Sequence, residues 1–413
     1  MSARELVEIE RARRMVLEHV DQLSATEIEL NDALGRILAE DVVSEQPVPE
    51  FDNSAMDGFA VRSADLAAAD DDAPVTLAVV GESRAGKPSD RELRAGEAIG
   101  ISTGAMLPRG ADAVVRIESV IARDGVVEVR ASTPRGCQVR RAGEDVEPGE
   151  RVLAGGTALG PAELGVLASL GRATVLCSRR PRISLRVTGD ELISPGDPTR
   201  PGGVRDTSTY ALGALARIAG AEVVSSEVVP DDPGRTKLAL EAAFEGSDAV
   251  VVCGGVSVGR HDHVKAALRS LGAQEVFWGV ALKPGRPTWF GTLGERPVFG
   301  LPGNPVSAIV TFILLALPAL RRMQGAAPLE RRWSAILDRD YEKAPGRAHA
   351  VRCRLRALED GLHVEPTGAQ GSHVLTSMLG ADVLAIIPTD AASVRAGERV
   401  AIEPLNLLQG API

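Results

Sequence analysis

From residue 182 onward the sequence alternates short apolar runs with amphipathic segments, and this rhythm restricts the possible folds more than any other feature. The apolar runs include RISLRVT, EVVSSEVV and DAVVVCGG, and helix-like segments such as TYALGALARIAG and KLALEAAF lie between them. Such alternation predicts a parallel sheet wrapped by helices. Ligands of these sheets bind beyond the carboxyl ends of the strands, where this sequence has the polar loops TGDE, PDDP and CGGVSVGRHD. We therefore expect these three loops to form one binding site.

The rest of the chain predicts further domains, since 413 residues are enough for roughly two to four. Short β runs between turn residues fill residues 75 to 132 and indicate a separate β domain. After the linker-like MQGAAPLERR, the β pattern returns over residues 333 to 408 and predicts a small terminal barrel. Helical spacing over residues 4 to 23, a segment after the potential cap Asn31, and Pro161 in a first-turn position predict three short helices.

Charge and cysteine content argue against several classes of protein. A net charge of −10 argues against nonspecific binding to nucleic acid or to an anionic membrane. The N-terminal residues lack the apolar core of a signal peptide, so a cytoplasmic protein is expected. The most apolar run, residues 306 to 317, has only 12 residues between two prolines and predicts a buried helix rather than a membrane span. The cysteines form no CxxC pair and predict reduced structural thiols; they are Cys137, Cys177, Cys253 and Cys353.

Three loops carry groups that suit an anionic ligand. GGVSVG, at 254 to 259, leaves backbone N–H groups free for an anion between a strand and a helix, although it lacks the GK[ST] ending of a P-loop. KPGRP presents Lys283 and Arg286 close together on a rigid turn. GLPGNP leads into a helix N-terminus that favours an oxyanion, and Asn304 is also expected to cap the helix that begins at Pro305.

Acidic groups accompany these loops. Asp262 either caps the helix that follows GGVSVG or holds a cation, and the pair His261 and His263 is more typical of an exposed helix than of a metal site. FDNSAMDGFAV and RRAGEDV add carboxylates elsewhere in the chain. Carboxylates beside phosphate-binding groups suit Mg²⁺ that bridges a phosphorylated ligand. The residues alone therefore predict a cytoplasmic α/β enzyme that acts on an anionic, phosphorylated ligand with Mg²⁺.

Seven motifs follow one another along the chain: PEFDNSAMDGFAV, ISTGAMLPRGADAVV, RRAGEDV, VTGDEL, GGVSVG with Asp262, KPGRP and GLPGNPVS. This order resembles that of the molybdopterin molybdenumtransferases, the MoeA family, which includes the E domain of gephyrin. The resemblance is strong and extends from about residue 5 to the C-terminus. It implies that the protein inserts molybdate into adenylylated molybdopterin and releases AMP and molybdenum cofactor, with Mg²⁺ as cofactor.

The same resemblance implies an α/β multidomain fold and a homodimer. The active site would lie between the α/β domain of one subunit and the inserted domain of the other, and a MogA-like adenylyltransferase would be a partner. The implied domains are an elongated N-terminal domain (1–44 and 141–178), an inserted β-rich domain (45–140), a MogA-like parallel-sheet α/β domain (179–327) and a C-terminal β barrel (328–413).

Site residues are implied motif by motif. Glu191, Asp231 and Asp262 would hold Mg²⁺, and with Asp57 and Asp145 they would be the functional carboxylates. Gly254, Gly255 and Ser257 would approach the adenylate phosphate. The remaining pocket residues would be Thr103, Lys283, Arg286, Pro302, Asn304 and Pro305.

Four positions depart from the usual family pattern. Gly279 stands where the family often has lysine, Arg286 replaces a second lysine, Arg260 replaces a common acid, and Ser208 lies in DTST where DTN is commoner. These departures leave open whether molybdate or tungstate is preferred. Two other functions also stay open: a molybdopterin adenylyltransferase, which the α/β domain alone resembles, and a noncatalytic molybdopterin-binding scaffold.

Overall fold

The computed structural model describes residues 5–257, 262–326 and 333–405, so that Arg260 and His261 lie outside the described residues. The chain divides into two compact units. The first comprises Met1–Glu40, Gly155–Leu159 and Val175–Ile413, and the second comprises Asp41–Ala154 and Gly160–Thr174. The four domain boundaries implied by the family resemblance stay predictions.

A six-stranded mixed sheet lies in the first unit, where the strand and helix rhythm predicted a parallel one. Its parallel strands, in sheet order, are Glu222–Val229, Arg182–Thr188, Ala249–Cys253 and Arg296–Leu301. Trp289–Leu293 and Gln274–Trp278 extend the sheet in antiparallel fashion, which corrects the prediction. The reason is the connection between Leu293 and Arg296, because a two-residue loop can join only antiparallel strands.

Helices cover both faces of this sheet as predicted. Ser208–Ile218, Pro233–Phe244 and Val264–Ser270 alternate with its strands along the chain. Every residue of the central strand Ala249–Cys253 is buried, and its alternate side chains enter two different apolar clusters. A strand with both faces covered is expected to read as a continuous apolar run, as AVVVC does.

The predicted buried helix exists but is longer than expected. It begins at Pro305, passes through a π-helical turn at Phe312–Ala316 and ends at Met323, so it does not stop at Pro318. Pro318 has no N–H for the carbonyl of Leu314. The side chain of Arg13 donates its Nε–H to that carbonyl instead, at 3.1 Å. By length and composition this 19-residue helix could cross a membrane, yet 78% of its most apolar window is buried inside the protein, as in a core helix.

A closed five-stranded barrel confirms the prediction for the C-terminal region. The strands follow each other around the barrel in the order Ala348–Leu358, Gly361–Pro366, Trp333–Leu337, Arg399–Pro404 and Val383–Ile387, and the last pairs with the first. Leu282–Lys283 adds to the outside of the barrel, parallel to Ala348 and His349.

The N-terminal region has one of its two predicted helices. Ile9–Glu18 is helical and buries Ile9, Ala12 and Val16. The helix expected after Asn31 is wrong, because only the single 3₁₀ turn Leu30–Asp32 forms. Gly35 has a positive φ of 72°, which ends the turn, and Ile37 and Leu38 then make isolated β-bridges.

The second unit contains a β sheet with its own apolar core, as predicted for residues 75 to 132. The helix Pro161–Ser169 begins with its proline, also as predicted. The strands of the sheet, in sheet order, are Ala113–Arg116, Gly58–Val61, Glu97–Ile101, Val75–Ser83, Val126–Val129 and Val120–Arg123.

The remaining described elements are short. They are the strands Ala25–Glu29, Val42–Val43, Asn53–Ser54, Val139–Arg140, Arg151–Leu153, Thr174–Ser178, Leu192–Ile193, Val204–Arg205, Tyr341–Glu342 and Ser393–Val394, and the 3₁₀ turns Ser63–Leu66, Ile117–Ser119 and Leu375–Met378.

Candidate functional site

A cavity of about 540 Å³ lies beyond the carboxyl ends of the parallel strands in the first unit. This is the edge of the sheet at which the polar loops were expected to meet. The cavity brings together Glu191, Asp231, Gly254, Gly255, Ser257, Asp262, Pro302, Asn304 and Pro305 from the predicted set. The roles assigned to these residues stay predictions.

The glycine loop at the end of the central strand tolerates no side chain at its first two positions. Gly254 and Gly255 have φ values of +91° and +65°. A Cβ on Gly254 would lie 2.7 Å from Thr188 Oγ1 and 2.8 Å from the Thr188 carbonyl oxygen. The two glycines therefore let the backbone pass close to Thr188 and turn into the cavity wall, where backbone N–H groups are the available donors.

Two side chains beneath this loop, those of Cys253 and Thr188, are buried and do not offer a reactive group to the cavity. Cys253 is buried, and burial raises the pKa of its thiol to about 12, so the thiol stays protonated at neutral pH. Its sulfur also contacts the Pro302 carbonyl oxygen at 3.3 Å. Thr188 Oγ1 is buried without a hydrogen-bond partner among the described residues. Neither side chain therefore offers a nucleophile to the cavity.

Two helices begin at the cavity. Ser208 starts one of them, and the Asp206 carboxylate caps it by accepting from the Thr209 N–H at 3.1 Å. Pro305 starts the other, but the expected capping by the Asn304 side chain is wrong.

The Asn304 amide instead donates to Ser372 Oγ at 3.2 Å, while the Val306 N–H donates to the Ser372 carbonyl oxygen at 3.3 Å. Ser372 comes from a connection of the barrel region, so the sequence next to Asn304 gives no sign of it. The motif GLPGNP is thus held in place from a distant part of the chain.

Carboxylates dominate the charge of the cavity. Glu191, Asp231 and Asp262 line it, and Arg205 is the cation among the described lining residues. Arg205 donates to the Ser194 and Asp197 carbonyl oxygens, both at 2.6 Å, so much of its hydrogen-bonding capacity is used locally. An anionic ligand would therefore meet net negative charge here.

The three carboxylates are spread rather than clustered. Within residues 5–257, 262–326 and 333–405, no group of three or more His, Cys, Asp or Glu residues is placed to hold a metal on its own. Asp231 and Asp190 exchange backbone to side-chain hydrogen bonds at 3.1 and 3.4 Å, which fixes the loop that carries Asp231. Oxygen donors of this kind fit Mg²⁺ that takes one or two protein carboxylates and completes its shell with phosphate oxygens and water.

Lys283 and Arg286 do not line this cavity. Lys283 is exposed next to the barrel strand and lies beside His349, whose pKa is lowered to about 4 by burial and then by Lys283, Lys343 and Arg347. Arg286 is exposed, and its carbonyl oxygen accepts from the N–H groups of Val280 and Thr288. The two cations of the KPGRP turn thus lie outside the described lining, although Pro287 of the same turn lines the cavity.

Gly279, the strongest departure from the family pattern, contacts the N-terminal segment. Its φ is +90°, and its carbonyl oxygen accepts from the Val7 N–H at 3.0 Å. A Cβ at this position would lie 2.9 Å from Leu6 Cδ2.

Asp57 and Thr103 form a separate constellation in the second unit. Asp57 Oδ1 accepts from the Thr103 N–H at 2.7 Å and from the Thr103 hydroxyl at 3.0 Å. These two donors lower the pKa of Asp57, the backbone donor most. Asn53 and Ser54 shape the preceding turn, since Asn53 donates to the Phe51 carbonyl oxygen and Ser54 Oγ donates to that of Met56.

Asp145 is exposed in the same unit, and its N–H donates to the Val48 carbonyl oxygen at 3.0 Å. The nearby Arg141 pairs with Asp52 at 2.5 Å, which explains part of the RRAGEDV charge pattern as a local ion pair.

Motif reasoning missed several residues of the first cavity. Thr188, Arg205 and Thr207 line it, and Ser372 supports its wall. Thr188 ends a strand of the six-stranded sheet, and this position was the available signal for it. Arg205 lies in a separate two-stranded pairing and Thr207 directly precedes a helix.

Comparison with known proteins covers nearly the whole chain. Residues 7–171 match the family model described as MoeA N-terminal region (domain I and II), residues 185–322 match the probable molybdopterin binding domain, and residues 334–405 match the MoeA C-terminal region (domain IV).

Named relatives and a solved structure are similar to this chain over most of its length. A molybdopterin molybdenumtransferase of Haemophilus influenzae is 39% identical, with 98% of this chain and 100% of the relative covered. A molybdopterin molybdenumtransferase of Bacillus subtilis is 32% identical, with 96% of this chain and 93% of the relative covered. The crystal structure of the molybdopterin biosynthesis moeA protein of Pyrococcus horikoshii OT3 is 33% identical and superposes with a TM-score of 0.83 over 96% of this chain and 99% of that one.

Proposed function

Since this chain belongs to the molybdopterin molybdenumtransferase (MoeA) family, we propose that it inserts molybdenum from molybdate into adenylylated molybdopterin and releases AMP. The chain is a transferase of molybdenum cofactor biosynthesis. The adenylylated substrate, the AMP product and the Mg²⁺ requirement are the finer parts of the proposal.

The supporting observation is the combination of one glycine loop and three carboxylates around a single cavity. The cavity lies within the segment that matches the molybdopterin-binding family model. Backbone N–H groups of Gly255 to Ser257 would bind phosphate oxygens, and the N-terminus of the helix that begins at Ser208 would add a favourable dipole. A 540 Å³ cavity is in the size range of sites for small ligands.

The carboxylates support a requirement for a divalent cation. A phosphorylated ligand carries negative charge into a cavity lined by Glu191, Asp231 and Asp262, and Arg205 alone would not compensate for them. One or two of these carboxylates would hold Mg²⁺, which would supply charge neutralisation at the phosphate oxygens. The protein's own groups then orient the phosphate and align a water for cleavage of the adenylate.

Asp57 belongs to the proposal through a homodimer. We expect Asp57, held by Thr103, to serve the cavity of the partner subunit. Cytoplasmic location, and supply of the adenylylated substrate by a MogA-like adenylyltransferase, are part of the same proposal.

The direct test is release of AMP. Purified protein with adenylylated molybdopterin, molybdate and Mg²⁺ should form AMP and molybdenum cofactor together, and omission of molybdate or chelation of Mg²⁺ should abolish both. Tungstate in place of molybdate reports the oxyanion preference. If neither AMP nor cofactor forms under complete conditions, the proposed function is wrong; formation of adenylylated molybdopterin from ATP would assign the adenylyltransferase reaction instead.

The shared site is tested by mixing two inactive variants. In a random mixture of Asp57→Asn and Glu191→Gln subunits, each mixed dimer would contain one fully intact site, so about a quarter of all sites should be active. No recovery of activity, with subunit exchange verified by mass spectrometry, would contradict a site formed by two subunits.

A further inference from the structure

Two carbonyl oxygens of the glycine loop are held from behind by side chains of other elements. The Trp278 indole Nε1–H donates to the Val256 carbonyl oxygen at 2.8 Å. Lys265 Nζ donates to the Ser257 carbonyl oxygen and lies 4.6 Å from the centroid of the Trp278 ring. We call this arrangement the Lys265–Trp278 clamp.

The clamp sets the direction of the loop's peptide groups. In a trans peptide the carbonyl and the following N–H point in opposite directions. Holding the Val256 carbonyl toward Trp278 therefore turns the Ser257 N–H away from Trp278. Val256 and Ser257 both line the cavity. The Val256 side chain is buried in an apolar cluster against which Trp278 also packs.

The lysine and the tryptophan depend on each other. A cation over an indole ring is attracted by the ring electrons. The ring in turn limits the freedom of the lysine stem, which leaves the ammonium placed to bind the carbonyl oxygen. Removal of either side chain should therefore loosen the same two peptide groups.

We propose that Lys265 is a positioning residue, which acts through the Lys265–Trp278 clamp to preset the glycine loop for the phosphate group of molybdopterin. This proposal rests on the proposed function only for the identity of the ligand. Lys265 itself need not contact that ligand. The clamp is expected to strengthen binding while leaving the rate of the chemical step nearly unchanged.

The main test compares Lys265→Met with Lys237→Met, which removes an exposed lysine from the neighbouring helix. Loss of one hydrogen bond from a charged donor should weaken molybdopterin binding by about tenfold, with kcat changed by less than about threefold. Lys265→Arg retains a cation that can stack on Trp278 and should restore most of the affinity.

A second measurement does not depend on catalysis. Amide hydrogen exchange of the ligand-free protein should be faster over residues 254–257 in Lys265→Met and in Trp278→Phe, and unchanged in Lys237→Met. Trp278→Phe keeps an aromatic ring but removes the N–H donor, so it tests the clamp if Lys265→Met does not fold.

Failure of this inference is distinguishable from failure of the proposed function. The proposed role of Lys265 is wrong if Lys265→Met matches the Lys237→Met control in both amide exchange and molybdopterin affinity. It is also wrong if amide exchange becomes faster in Lys265→Met without any loss of molybdopterin affinity. A wild-type protein that binds molybdopterin but releases no AMP would contradict the proposed function, and the clamp would still be judged by affinity and exchange.

Discussion

Replacement of Gly254 by alanine tests whether the glycine loop is as tightly constrained as its geometry indicates. The new Cβ would lie 2.7 Å from Thr188 Oγ1 and 2.8 Å from the Thr188 carbonyl oxygen, both shorter than a normal contact. The hydroxyl can rotate away, whereas the carbonyl oxygen belongs to the backbone of a central strand. The loop itself must therefore move.

Gly272→Ala is the matched control. Gly272 has a φ of +89°, against +91° for Gly254, and a Cβ there would meet nothing within 4 Å. Both substitutions incur the cost of a positive φ, about 1–2 kcal/mol, and both restrict the unfolded chain in the same way. The difference between them isolates the steric clash, which should lower the free energy of unfolding by a further amount of about 1–3 kcal/mol.

The assay is urea denaturation of both variants, together with titration of molybdopterin. Gly254→Ala should be the less stable variant and should bind molybdopterin more weakly, because the loop is displaced. The double variant Gly254→Ala with Thr188→Ala should recover only part of the lost stability, because the contact with the carbonyl oxygen of residue 188 remains. If Gly254→Ala and Gly272→Ala differ by less than about 0.5 kcal/mol, the steric reasoning is wrong.

Three further predictions concern other parts of the chain. The pKa of the buried His349 is lowered from 6.5 to about 4, so the unfolded chain takes up a proton before the folded protein does as the pH falls. The free energy of unfolding should therefore decrease between these pH values, by at most about 1.4 kcal/mol per pH unit. In His349→Asn, the free energy of unfolding measured by urea denaturation should depend less on pH over this range. Arg13→Met leaves the Leu314 carbonyl without its donor, removes the ion pair with Glu403 at 2.7 Å, and should lower the free energy of unfolding by about 2–3 kcal/mol in the same assay. Asp57→Asn should lower the rate of AMP release at least about 100-fold without loss of stability, and Thr103→Val should raise the pKa of Asp57 and move the acid limb of the rate profile to higher pH.

Each of these has an outcome that contradicts it. An unchanged stability curve in His349→Asn would show that this histidine is not the titrating group. Arg14→Met removes an exposed arginine from the same helix, and an equal effect of the two arginine variants would exclude the carbonyl contact as the cause. Full activity of Asp57→Asn would remove that residue from the site.

Local periodicity was enough to predict the parallel part of the sheet in the first unit and the helices that cover it. The run AVVVC is apolar at every position because both of its faces are covered, and the segments around it repeat at helical spacing. The alternating strands of the barrel were equally visible. In both regions the burial of each side chain follows from its own element, so a single sequence contains the information.

Long-range contacts account for what the sequence did not reveal. Pro318 predicts a helix end, because its missing N–H can be read from the sequence alone. The donor that replaces this N–H belongs to Arg13, which is 301 residues away from Leu314. The cap predicted at Asn304 failed for a similar reason, since Ser372 takes its side chain. Thr188 belongs to the predicted TGDE loop, but its contact with the glycine loop follows from the order of strands in the sheet, which no local motif specifies.

The contact between Gly279 and the N-terminal segment couples two positions that are far apart in the sequence. A lysine at 279 would need a backbone with φ of +90°, which suits glycine, and its Cβ would collide with Leu6. The Leu6 side chain could rotate away from a new Cβ, whereas the strain of a positive φ would remain for any residue other than glycine. The fit of a side chain at position 279 therefore depends on which residue stands at position 6.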